Sequence, residues 1–446
     1  MSSINFGSQA VGTGAGIDVQ GLVDQAIAAA SGPIVLLQRQ QARNNAQSSA
    51  LSSISSDLNS LLTAVNSLND VGGQFNAQSA TSSNTGTLTA TADTTAAAGT
   101  HTVVVSSLAT TSSYYTSAVT SSSTPLNTGS FDLTAGTTTT TITVDNTNNT
   151  LDGLAAYINS KNLGVSASVI TDANGARLAL VSGTTGAPGD LTVANNSVTG
   201  LTFTKAVTGA NASLTVDGVP ISSASNAVTG VLAGVTLNLV GPAPGSPVTL
   251  AVAPDTSKAS DAINQFVAAY NKVVTDINAQ FNVNPDGSGG GVLESDGTLR
   301  GVQQRLLTSL TYSITGNNGI VNLSSLGVNL NNDGTLSLDS SKLQSNLSGN
   351  FQSVKSFLQG TSPTGFAANF SDLLNNLTDT AQGPIGLDLQ GLTQTNSDIT
   401  HQIADLQASL AIKRQTLLEQ YSQVDATLRE LPLLQTQIAQ QLGSIR

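Results

Sequence analysis

Toward the C-terminus Ile403, Leu410, Leu417, Val424, Leu431, Ile438 and Ile445 recur every seven residues without a break. That spacing predicts a coiled-coil row, because a seven-residue repeat keeps one helix face turned toward a neighbour. A second row is ragged: Ile399 and Leu406 are followed by Lys413, then, after a one-residue shift, by Tyr421, Leu428, Gln435 and Leu442. Pro432 interrupts the stretch; it removes one backbone hydrogen bond, so a kink or a restart is expected there. Near the other end Leu51, Ile54, Leu58, Leu61, Val65 and Leu68 alternate steps of three and four, which marks one face of a helix. That helix is expected from about residue 44 to Gly72-Gly73.

Between these segments the pattern changes. Residues 76 to 253 fill with Thr, Val, Ser and Gly in short alternating runs, the signature of strands. The clearest are Thr102 to Val105, Thr141 to Val144, Val165 to Ile170, Arg177 to Val181, Ser213 to Val216, Val235 to Val240 and Val248 to Val252. Asp172-Ala-Asn174-Gly175 predicts a hairpin turn, since Asn-Gly tolerates positive φ. One helix intervenes, capped by Thr150, faced by Leu151, Leu154, Ala155 and Ile158, and stopped near Gly164. After Pro254-Asp255 helical spacing returns in Ala262, Ile263, Phe266, Val267, Tyr270, Val273, Val274 and Ile277. A further helix around Val302 to Leu310 and a hairpin turning at Asn332-Asp333-Gly334 follow.

The expected fold class is α+β multidomain: a terminal α-helical coiled-coil or helical-bundle leg with inserted β-rich head domains. The expected parts are a flexible tail (1–40), an N-terminal leg helix (41–75), the first part of a base β domain (76–112), a distal β-rich subdomain (113–206), the second part of the base domain (207–253), a helical leg domain (254–402) and a C-terminal coiled-coil helix (403–446). A helix from Ile403 to Ile445 would run roughly 63 Å, whereas Leu51 to Leu68 covers about 26 Å. One end therefore overhangs. Ordering the surplus costs on the order of 1 kcal/mol per residue, and a one-sided apolar row in water recovers little of that. The overhang needs the segment at 17 to 37, another subunit or a different protein.

Composition narrows the function classes. A net charge of −12 over 446 residues and no Lys/Arg cluster argue against nucleic acid as a partner. No run of 18 apolar residues is present, so membrane insertion is not expected. The N-terminus lacks the basic and apolar regions of a cleaved signal peptide. Cysteine is absent, which removes disulfides, thiolate metal sites and thiol nucleophiles and suits a chain that passes between redox compartments. Candidate chemistry is sparse. His101 and His401 are the two histidines, and Gly12-Thr-Gly14-Ala-Gly16 has the wrong spacing for a dinucleotide loop. Asn282 to Leu293 resembles a calcium loop but starts with Asn and ends on Leu, and Glu294 with Asp296 is an ordinary carboxylate pair. The expectation is no enzyme, no cofactor and no metal.

Several segments, in order, resemble the flagellar filament cap family, also called flagellar hook-associated protein 2. Gly14-Ala-Gly16-Ile17-Asp18-Val19-Gln20-Gly21-Leu22-Val23-Asp24 resembles its opening, and Gly99 to Ala109 the strand closing its N-terminal region. Asp217-Gly218, Ser225-Asn226, Gly234 to Leu237, Phe266-Val-Ala-Ala-Tyr270-Asn271, Leu326-Gly327-Val328 and Asp333 to Asp339 complete the set, with Phe266 to Asn271 the most specific. The resemblance implies a secreted homo-oligomeric cap at the distal filament tip that shelters arriving flagellin while it folds. It also implies export through the flagellar type III apparatus and contact with the hook-filament junction protein, a flagellar export chaperone and, in some members, host mucin or glycan. Another exported axial component, or a surface adhesin on a coiled-coil stalk, stands as the alternative.

Overall fold

The structure, a computed structural model, describes residues 17–70, 72–282, 290–360 and 365–443. The chain divides into two compact units: a helical one, of residues up to 66 with 264–343 and 352 onward, and a β unit of 67–263 with 344–351. The N-terminal helices are α1 (Val19–Ala30) and α2 (Gly32–Asn69). The β unit then runs through β1 (Gln78–Ser82), β2 (Leu88–Ala92), β3 (Gly99–Ser107), β4 (Thr111–Thr116), β5 (Gly129–Ala135) and β6 (Thr138–Val144). Helix α3 (Leu151–Ser160), β7 (Val165–Asp172), β8 (Gly175–Thr185), β9 (Leu191–Ala194) and β10 (Phe203–Val207) follow. Strands β11 (Ala212–Val216), β12 (Val219–Ser223), β13 (Ala227–Leu232), β14 (Val235–Leu239) and β15 (Val248–Pro254) complete it. The chain resumes helix with α4 (Thr256–Phe281), α5 (Gly297–Ser309) and α6 (Leu323–Leu326), then a hairpin of β16 (Val328–Leu330) and β17 (Leu336–Leu338). Helices α7 (Ser340–Gly349), α8 (Phe351–Leu358), α9 (Phe366–Thr378) and α10 (Pro384–Gly443) end the described chain.

The β unit holds two cores. In the first, the five-stranded sheet β1-β15-β3-β11-β12 and the three-stranded sheet β13-β14-β2 share Val103, Val105, Leu214, Leu237, Leu250 and their neighbours. The alternation of Thr and Val that marks these strands puts every second side chain into that layer. The second core lies under β10-β4-β8-β7 and β6-β5-β9, where Phe131, Ile142, Leu178 and Leu180 meet Leu151, Leu154 and Ile158 of α3. Thr150 caps α3, its hydroxyl accepting the Gly153 N–H at 3.0 Å. The chain enters this second layer between β3 and β4 and leaves it between β10 and β11, which makes it an insertion into the first.

The β7–β8 turn shows what its sequence demands. Gly175 holds φ at +122°, and a Cβ there would collide with the Val119 carbonyl oxygen, whose strand segment bridges Ala176. Gly175→Ala is therefore expected to lower the melting temperature by several degrees, in line with roughly 1–3 kcal/mol of backbone strain. An unchanged thermal scan would refute this.

A second tie is electrostatic. Asp217, at the turn between β11 and β12 with φ +51°, accepts the Thr102 N–H at 2.8 Å and lies 2.7 Å from Nδ1 of His101. The His101 hydrogen bond, with that of Thr102, holds the Asp217 carboxyl below its ordinary value. A depressed carboxyl contributes stability that is present above its unfolded pKa and lost as pH falls through the folded one. Asp217→Asn should consequently melt below the native protein at neutral pH, and the gap should close in acid. A gap that persists unchanged into acid would contradict the linkage.

In the helical unit Leu51, Ile54, Leu58, Leu61 and Val65 of α2 are at most 1% exposed. Phe266 and Tyr270 of α4, Phe357 of α8, and Phe366 and Phe370 of α9 form a ring cluster with centroids 5.4–6.4 Å apart where they touch. Lys272 of α4 bonds Asp276 at 2.7 Å and Asp57 of α2 at 3.3 Å. Burial raises the Asp57 carboxyl, whereas the Lys272 hydrogen bond lowers that of Asp276.

The N-terminal segment corrects the expectation of a flexible tail over 1–40. Residues 1–16 lie outside the described chain, but Val19–Ala30 is helix, with the Asp18 carboxylate accepting the Gly21 N–H at 2.9 Å. Helix α2 begins at Gly32, well before residue 44, because Pro33 falls in the first turn, where its missing N–H leaves no intrahelical bond unmade.

Candidate partner surface on the terminal helices

Helix α10 has 60 residues, about 90 Å of helix, and carries the seven-residue row. Its first half is held by α2 through amides: Asn44 Nδ2 donates to Asn396 at 3.0 Å, Asn396 Nδ2 donates to Asn45 at 2.7 Å, and Gln41 donates to Thr400 at 2.9 Å. Asn44 is buried, so its pairing is strongly specified, as a polar group inside an apolar helix seam fixes register. Further along, α1 packs against α10: Asp24 pairs with Arg414 at 2.7 Å, and the Ile17 N–H donates to Asp425 at 2.8 Å. As the index falls along α1 and α2 it rises along α10, so the arrangement is antiparallel.

Burial of the row follows these partners. Ile399, where the amides meet, is 3% exposed, and Ile403, Leu410 and Leu417 are half-buried. Val424 reaches 48%, Leu431 47% and Ile438 55%, with Leu428, Leu433 and Leu434 beside them also exposed. Ile445 lies outside the described residues. Past Asp425 the described helix carries Arg429 and Glu430 as its only charges, and Arg429 is engaged with Asp425 at 2.8 Å. The end of α10 is thus an apolar, nearly uncharged surface with no intramolecular cover among the described residues. The second set of seam residues behaves differently. Leu51, Ile54, Leu58, Leu61, Val65 and Leu68 are buried within the chain and offer nothing to a partner.

Among the described residues no chemical site competes with this surface. Among the described residues no group of three His, Asp or Glu could hold a metal. Asp296 is the N-cap of α5, accepting the Leu299 N–H at 2.9 Å, and Glu294 accepts the Gly290 N–H at 3.2 Å. His101 is committed to Asp217, and His401 is exposed on α10. The Gly12 to Gly16 run and most of the Asn282 to Leu293 loop fall outside the described residues.

Residues 209–432 match the model of the flagellar hook-associated protein 2 C-terminus, and 15–112 that of its N-terminus. The chain belongs to the flagellar hook-associated protein 2 family. It is 34% identical over 427 residues to the B-type flagellar hook-associated protein 2 of Pseudomonas aeruginosa, covering 89% of each chain. With the Escherichia coli K12 flagellar hook-associated protein 2 it shares 28% identity over 97% of each. The crystal structure of the D1-D2-D3 domains of the E. coli flagellar cap protein FliD superposes with a TM-score of 0.58 at 29% identity, over 77% of this chain and 99% of that one. Residues 130–184, from β5 to β8, match the flagellin hook IN motif.

The residues that carry the family resemblance have physical work in the fold. Phe266 and Tyr270 sit in the ring cluster, and the Asn271 side chain acts as a short strand: its Nδ2 donates to the Leu336 carbonyl at 2.8 Å while Leu336 N–H donates back at 2.6 Å. Asn226 makes the same clip on Ala109, at 2.7 and 3.0 Å. Gly327 ends α6 at φ +110°, and Asp333 closes the β16–β17 turn by accepting from the Thr335 N–H and hydroxyl. Sequence alone does not reveal these clips, because a single Asn, on helix α4 at 271 or between strands at 226, carries no periodic signal. Pro432 lies inside α10, and helix continues on both sides. The missing donor faces the Leu428 carbonyl on the uncovered stretch, where solvent or a partner can supply it.

Proposed function

We propose that this protein caps the distal end of the bacterial flagellar filament as a homo-oligomer, holding exported flagellin at the tip while it folds and joins the filament. Family membership over nearly the whole chain supports capping as the function, and a structural rather than catalytic one. The observation that carries the mechanism is the end of α10, where the seven-residue row continues past Asp425, its last partner among the described residues, with Leu431 and Ile438 about half exposed. A helix that packs against its own chain as far as Asp425 and stays apolar beyond it is suited to engage another chain. In the assembled filament that chain is flagellin, the junction protein or a second copy. Before assembly the same end of α10 suits an export chaperone, which would keep it from aggregating in the cell. Export through the flagellar apparatus without a cleaved signal peptide belongs to this reading, as does contact of the β unit with host mucin or glycan.

The test is a deletion in the parent bacterium. Loss of the gene should leave hooks in place and spill unpolymerised flagellin into the medium, and the full-length chain supplied in trans should restore filaments. Filaments of normal length in the deletion strain would end the proposal.

A further inference from the structure

An open sheet has edges, and an edge strand offers unpaired N–H and C=O groups to any extended chain that meets it. Three edges of the β unit carry a device against this in their own sequence. On β12 the turn pairs Val216 with Val219, so Pro220 faces outward, where it has no donor to offer. Strand β10 carries Lys205 beside a register shift, and β13 shifts register between Val228 and Leu232. Strand β7, the last of β10-β4-β8-β7, has none of these. It runs eight residues along β8 without a shift, and from Val165 to Thr171 it is uncharged. Ile170, 57% exposed, and the half-buried Val169 would add apolar contacts for an incoming strand.

The hairpin fixes which groups of β7 face outward. Its two-residue turn makes Asp172 and Gly175 a bonded pair, so Ile170 and Ser168 also bond to β8, while Thr171, Val169 and Ala167 turn their N–H and C=O away from it. At Ala167 both groups are taken. The side-chain amide of Asn159, at the end of α3, accepts the Ala167 N–H at 2.8 Å and donates to the Ala167 carbonyl at 2.8 Å. One side chain thus makes the two bonds that an added strand would make. Asn148 does half as much on the edge strand β6, donating to the Thr143 carbonyl at 2.9 Å.

We infer that Asn159 plugs the β7 edge against strand addition by an extended chain. The amide is not needed to hold α3 in place, because Leu151, Leu154, Ala155 and Ile158 already bury that helix in the second core, whereas Asn159 itself is exposed. Its position on the strand is what matters. With Ala167 occupied, the outward groups in line beyond it are those of Val169 and Thr171, a stretch shorter than the roughly five or six residues of an ordinary strand. A chain that paired along the whole edge would first have to displace the amide.

The full-length chain is tested. Residue-resolved hydrogen exchange should find the Ala167 amide protected and those of Val169 and Thr171 exchanging freely, and Asn159→Ala should speed exchange at Ala167 roughly 5–30-fold. The same variant should aggregate several-fold faster than the native chain in light scattering at matched concentration. Asn226→Ala is the control, since it deletes an equivalent pair of bonds, to Ala109, outside any strand. It should lower the melting temperature at least as much and leave aggregation unchanged. Adding Val169→Pro to Asn159→Ala removes an outward donor, so it should bring aggregation back toward the native rate although it cannot restore the lost bonds. Fast exchange at Ala167 in the native chain, failure of Asn159→Ala to fold, aggregation no faster than in Asn226→Ala, or aggregation that Val169→Pro leaves unchanged would each overturn the plug.

Discussion

Replacing Phe366 by alanine is expected to destabilise the helical unit by about 3–5 kcal/mol, the cost of deleting a fully buried ring. Phe366 is 0% exposed and its ring lies 5.4 Å from Phe370, 5.6 Å from Phe266, 5.8 Å from Phe357 and 6.2 Å from Tyr312. It is the one ring that touches all four of these others. The chain from Tyr312 through α8 and α9 closes onto α4 at that point, so a cavity there cannot be filled by one neighbour shifting. The β unit has cores of its own, built mainly from Val, Leu, Ile and Ala, and should not respond. Hydrogen exchange followed by mass spectrometry separates the two: amides of α4 and α9 should lose protection in Phe366→Ala while those of β3 and β8 keep it. Phe366→Leu, which retains most of the volume, should cost less than half as much. Equal loss in the two variants, or loss spread evenly over both units, would show that the ring cluster does not close the helical unit.

Much of this architecture was legible in the pattern of the chain. The seven-residue row, the α2 face and the α3 cap are periodic or local signals, and a helix or strand that buries one face must repeat at its own period. The strands read correctly were those rich in Val. Strands β1 and β4, made largely of Ser, Thr, Gln and Tyr, lack a visible apolar face, because the rest of the sheet does the burying and propensity alone does not announce them. Helix α1 was missed for a related reason. Its run of Ala, Gly and Gln supports a helix only when α10 lies beside it, and that contact pairs residues some four hundred positions apart. The ring cluster escaped notice because Phe357, Phe366 and Phe370 come from short helices with too few turns for a period to show.

The candidate surface divides in the same way. Sequence treats Leu51 to Leu68 and Ile403 to Ile438 as two rows of equal standing, whereas burial separates them: the first is consumed in the fold, and the far end of the second is uncovered among the described residues. Periodicity reports that a face is apolar, not whether it is covered. What covers it depends on chain length and on which partner runs out first. Among the described residues, contacts along α10 from the N-terminal segment reach Asp425, met by Ile17, and α10 continues to Gly443.

Leu431→Asp combined with Ile438→Asp is accordingly expected to leave the purified protein as stable as the native chain and to abolish capping. Both side chains are about half exposed, so a carboxylate at either remains in water and the fold has nothing to lose. In a complex they would be covered, and burying an aliphatic side chain is worth about 1.5–3 kcal/mol. About half of each is already out of water, so losing the two removes about 1.5–3 kcal/mol of binding, or about one to two powers of ten in affinity, before the cost of desolvating the new charges is added. A strain carrying this variant should secrete the cap protein yet shed flagellin into the medium, with few or short filaments. Ile399→Asp provides the contrast: at 3% exposure it stands where the Asn44 to Asn396 amides join α2 to α10, and there the same change should unfold the helical unit rather than spare it. Leu417, half-buried where α1 lies along α10, should fall between the two. Wild-type filaments in the Leu431/Ile438 double variant would mean that the free end of α10 is not the surface through which the cap engages its partners, whatever the burial along the helix suggests.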